Sequence, residues 1–188
     1  MEEMRITAGA GLLAIVCLVL LSPCLAGQSR EQEAQIMGRE DVLRIFRQAI
    51  ASNEECKKRP LAGTPEDIEK AARARRQFHD DALEPARDAC VQLLVAGRDV
   101  SLAVEFLHLL ISFEGSADES FTWAVGEVYA RNPELIEEAI GLIASSARTV
   151  LFEEISLGLY YYYHDNATHP YRRDRLDRLA RVRCRYLQ

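Results

Sequence analysis

The place in the sequence where two imidazoles and a carboxylate crowd together is His164-Asp165-Asn166-Ala167-Thr168-His169. Two histidines and an aspartate suit an open zinc position, with the fourth site left to water or substrate. A five-residue spacing in a loop fixes no geometry, however, and no fourth ligand can be named. The same residues serve equally to end a helix and turn the chain before Pro170. No metal, cofactor or catalytic residue is therefore assigned, and His164, Asp165 and His169 stand as the metal candidates the sequence offers. His79-Asp80-Asp81 offers less.

Other groups fare no better as chemistry. Glu137-Glu138 and Glu153-Glu154 are adjacent acids, and neighbours on a helix point about 100° apart, so neither is a facing dyad. They read as solvated faces. His108 sits on the most apolar stretch and reads as a hydrogen-bonded core residue, and Trp123 reads as a packing residue. A Gly-x-Ser-x-Gly elbow, a phosphate-cradling glycine loop and a His-Glu-x-x-His pair are all missing from the sequence. Asn166-Ala167-Thr168 is an N-glycosylation sequon in a polar loop.

Two features favour binding over catalysis. Tyr160, Tyr161, Tyr162 and Tyr163 cover more than a helical turn, so some rings must enter the core while others reach the surface, where rigid amphipathic rings suit an interface. Residues 172–185 hold seven arginines and two aspartates, whereas residues 99–164 hold eleven acids and only Arg131 and Arg148 as bases. Arg172, Arg175, Arg178, Arg181 and Arg185 recur three or four apart, which puts them on one side of a helix with Leu176, Leu179 and Val182 on another. That helix is expected to dock its apolar side, with its arginines facing acids of the middle region or water. The alternative is a surface for anionic lipid or a polyanion, because the planar guanidinium binds phosphate and carboxylate through two bonds.

Helices must position these residues, since apolar residues recur at helical spacing in nearly every segment and nowhere alternate as in a strand. Ile36, Leu43, Phe46 and Ile50 make a first stripe, expected to end near Asn53. Thr64-Pro65-Glu66-Asp67 is a start signal: a hydroxyl cap, proline at the first helical position, then acids at the positive end of the dipole. Ile68, Ala71, Ala72, Phe78 and Leu83 follow. Pro85 then kinks the helix or begins another, through Cys90 and Leu94, which Gly97 stops.

Residues 100–113 are apolar almost all round, as in a central helix. Gly115 should end it, and Ser116-Ala117-Asp118-Glu119 has capping-box spacing. Phe121 to Tyr129, Leu135 to Ile143 after Asn132-Pro133, Val150 to Leu159, and Leu176 to Tyr186 supply the remaining stripes.

An offset of 34 residues aligns Leu102 with Ile136, Phe106 with Ile140, Leu109 with Ile143, Phe121 with Ile155, Val125 with Leu159 and Tyr129 with Tyr163. Such a period suits stacked helix pairs. In Gly126, Tyr129 and Glu138-Ala139-Ile140, the stretch 122–140 resembles a tetratricopeptide unit. It departs from that pattern at Thr122, where the family has tryptophan, in a one-residue insertion at the turn, and in lacking the closing proline. No family is assigned.

The fold class expected is all-α, a compact bundle or short α-solenoid of about six to eight helices. Residues 1–26 read as a cleaved signal peptide: Ala8 to Leu21 carry no charge, Ser22-Pro23 breaks the run, and Cys24-Leu25-Ala26 suits signal peptidase. The alternative is a retained membrane anchor, since 24 uncharged residues separate Arg5 from Arg30. Residues 27–64 form an N-terminal helix and linker and 65–188 a helical domain, with 27–188 read as one domain. After cleavage Cys56, Cys90 and Cys184 remain, and in an oxidising compartment Cys56 with Cys90 is the preferred disulfide.

With pI near 5.3 and a net charge of −6, a specific nucleic-acid binder is not expected. The function expected is that of an exported, periplasmic or extracellular, non-catalytic protein. It binds another protein or serves as a structural or inhibitor-like module of the envelope. The alternatives are binding of an anionic ligand or membrane surface through the terminal arginines, and a hydrolase whose site forms only in three dimensions.

Overall fold

The computed structural model describes residues 37–58, 63–114, 119–165, 169 and 172–187. The expected signal peptide, Ile36, Gly115 with most of the expected capping box, the 166–168 sequon and Pro170 lie outside the described residues. Residues from Met37 onward form one unit, and every regular element described in it is helical.

The elements are α1 (Arg39–Lys58), α2 (Pro65–Phe78), a π-helical turn (His79–Leu83), α3 (Glu84–Ala96), α4 (Val100–Ser112), α5 (Ser120–Arg131), α6 (Pro133–Leu142), a 3-10 turn (Ser145–Ala147), α7 (Arg148–Asp165) and α8 (Arg172–Tyr186). Helix α1 passes Asn53, its expected end, and reaches Lys58. Asn53 does not cap it. Its Nδ2 donates to Ser112 Oγ at 2.9 Å, and Lys57 and Glu54 pair along the surface.

Thr64 caps α2 as its sequence demands, with Thr64 Oγ1 accepting from Asp67 N and the Asp67 carboxylate accepting from the Thr64 backbone. Proline at 85 lacks the N–H that would bond back into the preceding turn. The chain before it opens into a π turn, where the Glu84 N–H reaches His79 O, and a further helix, α3, begins with Pro85 in its first turn, one of the two outcomes expected.

Asp99 caps α4 by accepting from Leu102 N at 3.0 Å. Asn132 stands before Pro133 but makes no side-chain cap for α6. Its Nδ2 instead donates to Leu94 O at 2.8 Å and Gly97 O at 3.0 Å, satisfying carbonyls that the end of α3 leaves open.

Helix α4 is central, packing on α1, α3, α6 and α7. Leu102, Phe106, Leu107 and Leu109 are fully buried on it, but His108 is exposed. The expectation of a core histidine is thus corrected: among the described residues position 108 lies on an exposed side of α4. Phe46, Phe106 and Phe121 meet with ring centroids 6.1–6.4 Å apart, tying α1, α4 and α5 together. Helices α1, α4 and α6 contact in that order, and α3, α5 and α7 likewise; α8 lies on α6 and α7.

The tightest crossing is α5 on α7. A methyl group added to Gly158 would fall on the Thr122 carbonyl oxygen and lie 3.0 Å from Gly126 Cα. One added to Gly126 would fall on the Gly158 carbonyl, 2.7 Å from its Cα. The two backbones touch, and only glycine at both positions permits it. Beside them the Thr122 hydroxyl donates to Glu154.

Candidate functional site

A groove runs along the outer side of α5, between α3 and α7. Its larger part, about 540 Å³, is lined by Arg87, Asp88, Val91, Ser120, Trp123 and Arg131, among others. An adjoining part of about 370 Å³ is lined by Glu119, Ser120, Trp123, Tyr161, His164 and Asp165. Ser120 and Trp123 border both, so the two form one run of surface. The α5–α7 glycine contact lies behind it and fixes where Trp123 stands relative to Tyr161 and Tyr162.

Trp123 is 37% exposed, so it is a wall of this groove and not the packing residue its sequence context suggested. Its ring meets Tyr162 edge-on at 6.3 Å. The tyrosine run divides as its helical spacing requires. Tyr163 is fully buried, Tyr160 is 56% exposed, and Tyr161 and Tyr162 are half-buried. Burial raises the ionisation of the Tyr163 phenol above its ordinary range. Tyr161 is raised as well, first because its hydroxyl is hydrogen-bonded to the Glu119 carboxylate, with the negative charge of Glu154 adding to the effect.

The cations of the larger part are already paired. Arg87 binds Asp88 at 2.8 Å and lies 6.0 Å over the Phe121 ring; Arg131 binds Glu127 at 2.8 Å. No lysine or arginine is among the residues lining the smaller part, where His164 Nδ1 and Asp165 Oδ1 are 3.3 Å apart.

The expected metal candidates do not converge. His164 turns toward Tyr160, while His169 packs against Tyr162 and Tyr163 at 6.0 and 5.5 Å. Among the described residues no group of three His, Cys, Asp or Glu is placed to hold a metal ion. The expected Cys56–Cys90 bridge is not formed either: Cys56, Cys90 and Cys184 are all free. Cys90 is fully buried on α3, and burial holds its thiol far above the ordinary range.

The arginine stripe splits in two. Arg172, Arg181 and Arg185 are exposed, but Arg175 and Arg178 turn inward beside Leu179 and Val182. Arg178 grips Glu137 through Nε at 2.5 Å and Nη2 at 2.9 Å, and Glu134 through Nη1 at 2.5 Å. The buried Tyr129 hydroxyl donates to the same Glu137 at 3.0 Å, and Arg175 Nε donates to Ala130 O at 2.9 Å. Arg148 lies 4.9 Å over the Tyr186 ring and donates to Ile143 O and Gly141 O. Arg178 thus fastens α8 to acids of the middle region and Arg175 to a backbone carbonyl of α5, in line with the plainer of the two expectations.

Sequence reasoning did not single out Arg87, Glu119, Ser120, Glu127 or Arg131 as groove residues. The signal that was there is the pair Gly126 and Gly158, glycines inside strong helical patterns, which mark close backbone approach. Among the described residues no helix is long and apolar enough to cross a membrane. No family model, no curated protein and no solved structure matches the chain.

Proposed function

We propose that this chain is an exported, non-catalytic binding module that receives a segment of a partner protein in the groove over α3, α5 and α7. The observation that carries the reading is the placement of Trp123 and Tyr161 along one open surface, with Tyr162 backing Trp123 and a close helix crossing anchoring both helices. Aromatic rings with polar tips lose little entropy when a partner covers them, and they dominate binding energies at interfaces. A groove of this volume, open along its length, suits an extended or helical segment better than an enclosed small molecule.

The fold behind it is read as a short α-solenoid. The 34-residue offset relates α4–α5 to α6–α7, and the contact order α1, α4, α6 beside α3, α5, α7 supports stacked pairs. Export rests on the leader-like residues 1–26.

The test is co-purification from the native compartment with variant chains. Trp123→Ala and Tyr161→Ala are expected to release the partner, while Arg181→Gln with Arg185→Gln retains it. Release by the arginine variant alone would transfer the function to α8 and to anionic ligands.

A further inference from the structure

We infer that the α7 end of the groove recognises a cationic side chain, lysine or arginine, presented by the partner polypeptide. The inference rests on the binding-groove reading and names the chemistry of its occupant.

Charge changes along the groove. In the larger part Arg87 and Arg131 balance Asp88 and Glu127. In the smaller part Glu119 and Asp165 flank the rings of Trp123, Tyr161 and His164, and no lysine or arginine is among the lining residues. Glu119 already receives the Tyr161 hydroxyl, and Glu154 adds to the negative field there. Tyr160 extends the aromatic surface, with centroids 5.8 Å from Tyr161 and 6.2 Å from His164.

Indole and phenol faces attract a cation through their quadrupoles, and carboxylates at the rim hold it by charge. An anion would meet two carboxylates, and an aliphatic side chain would strip water from them without return. The complementary occupant is therefore a positive charge at the end of an apolar stem, which describes a lysine or arginine side chain.

Trp123 is the chain's single tryptophan, so its emission reports directly on this cavity. The experiment titrates the full chain with short peptides of alternating lysine and glycine, their arginine counterparts and a glutamate control. The lysine and arginine peptides are expected to change Trp123 emission, with binding that weakens as salt rises; the glutamate peptide is not. The double variant Glu119→Gln, Asp165→Asn should bind about tenfold more weakly, with its helical signal intact, whereas Glu153→Gln, on the exposed side of α7, should bind as the parent does.

Equal binding by the double variant, an equal response to the glutamate peptide, or silence with both cationic peptides overturns the inference. A partner whose capture needs Trp123 and Tyr161 but ignores the double variant removes the cation alone and leaves the groove reading standing. A partner indifferent to Trp123→Ala and Tyr161→Ala removes both.

Discussion

Helix α2 and the α5–α7 crossing hold their places by opposite means. Helix α2 buries no residue fully, yet its first turn has hydroxyl, proline and acid where a helix start requires them. The crossing carries no local signal of comparable strength, yet its two backbones touch through Gly126 and Gly158. One element is specified by its own fourteen residues and the other by a fit between distant segments. Helix α8 lies between these extremes. It is the most polar helix described, and it docks through Leu179, Val182 and an arginine fork.

Breaking the crossing should have the largest effect. Gly158→Ala forces a methyl group onto backbone atoms that have no side-chain freedom to yield, at a cost of about 3 kcal/mol. Tm is expected to fall by roughly 6–12 °C for a chain of this size, with a loss of Trp123 and Tyr161 alignment seen as altered near-ultraviolet dichroism. A variant as stable as the parent would mean that the helices can separate freely.

Arg178→Met comes next. It leaves Glu137 enclosed beside Tyr129 without its counter-charge, costing about 2 kcal/mol at this partly screened position. If thermal melting shows no change, the fork is an ornament of the surface and α8 is held by Leu179 and Val182 alone.

The α1–α4 junction yields a pH prediction. The Arg39 guanidinium, aided by the Leu102 amide and the Ser101 hydroxyl, pulls the Asp99 carboxyl down to about 2. Its folded value lies below its unfolded value near 3.9, so the stabilisation is fully present above pH 4 and is lost as pH falls from there toward 2. After screening, about 1 kcal/mol is at stake. Asp99→Asn should flatten this part of the acid limb of a denaturant series; an unchanged limb would exclude Asp99 as a contributor.

The smallest effect belongs to α2. Thr64→Ala removes the cap of an exposed helix, worth about 1 kcal/mol. Amide exchange in α2 should quicken about fivefold while Tm scarcely moves, because α2 contributes so little to the core.

The same contrast explains what could be read from the sequence. The start at Thr64, the central character of residues 100–113 and the helical character of every described element follow from caps and periodicity, which are local. Readings that depended on distance went astray, Trp123 as a packing residue and the Cys56–Cys90 bridge among them. His108 was expected inside because its helix is apolar, but it lies on an exposed side of that helix. Arg175 and Arg178 were grouped with Arg172, Arg181 and Arg185 by spacing, yet the docked face of α8 includes Leu179, Val182 and Tyr186, and that face carries the first two inward. Asn132 bears a capping residue's chemistry, but its amide serves α3 and not α6. The candidate groove was half legible: the tyrosine run named one wall, while Trp123 and Glu119 join it only because two glycines bring α5 against α7.

The claim on which the rest depends is that partners approach over Trp123 and not over the terminal arginines. Gln92 lines the groove beside Trp123, and a photoreactive amino acid placed there, and separately at position 181, tests it in the native compartment. The account predicts a discrete adduct from position 92, competed away by the parent chain but not by the Tyr161→Ala chain, and none from position 181. An adduct from position 181 alone would contradict it.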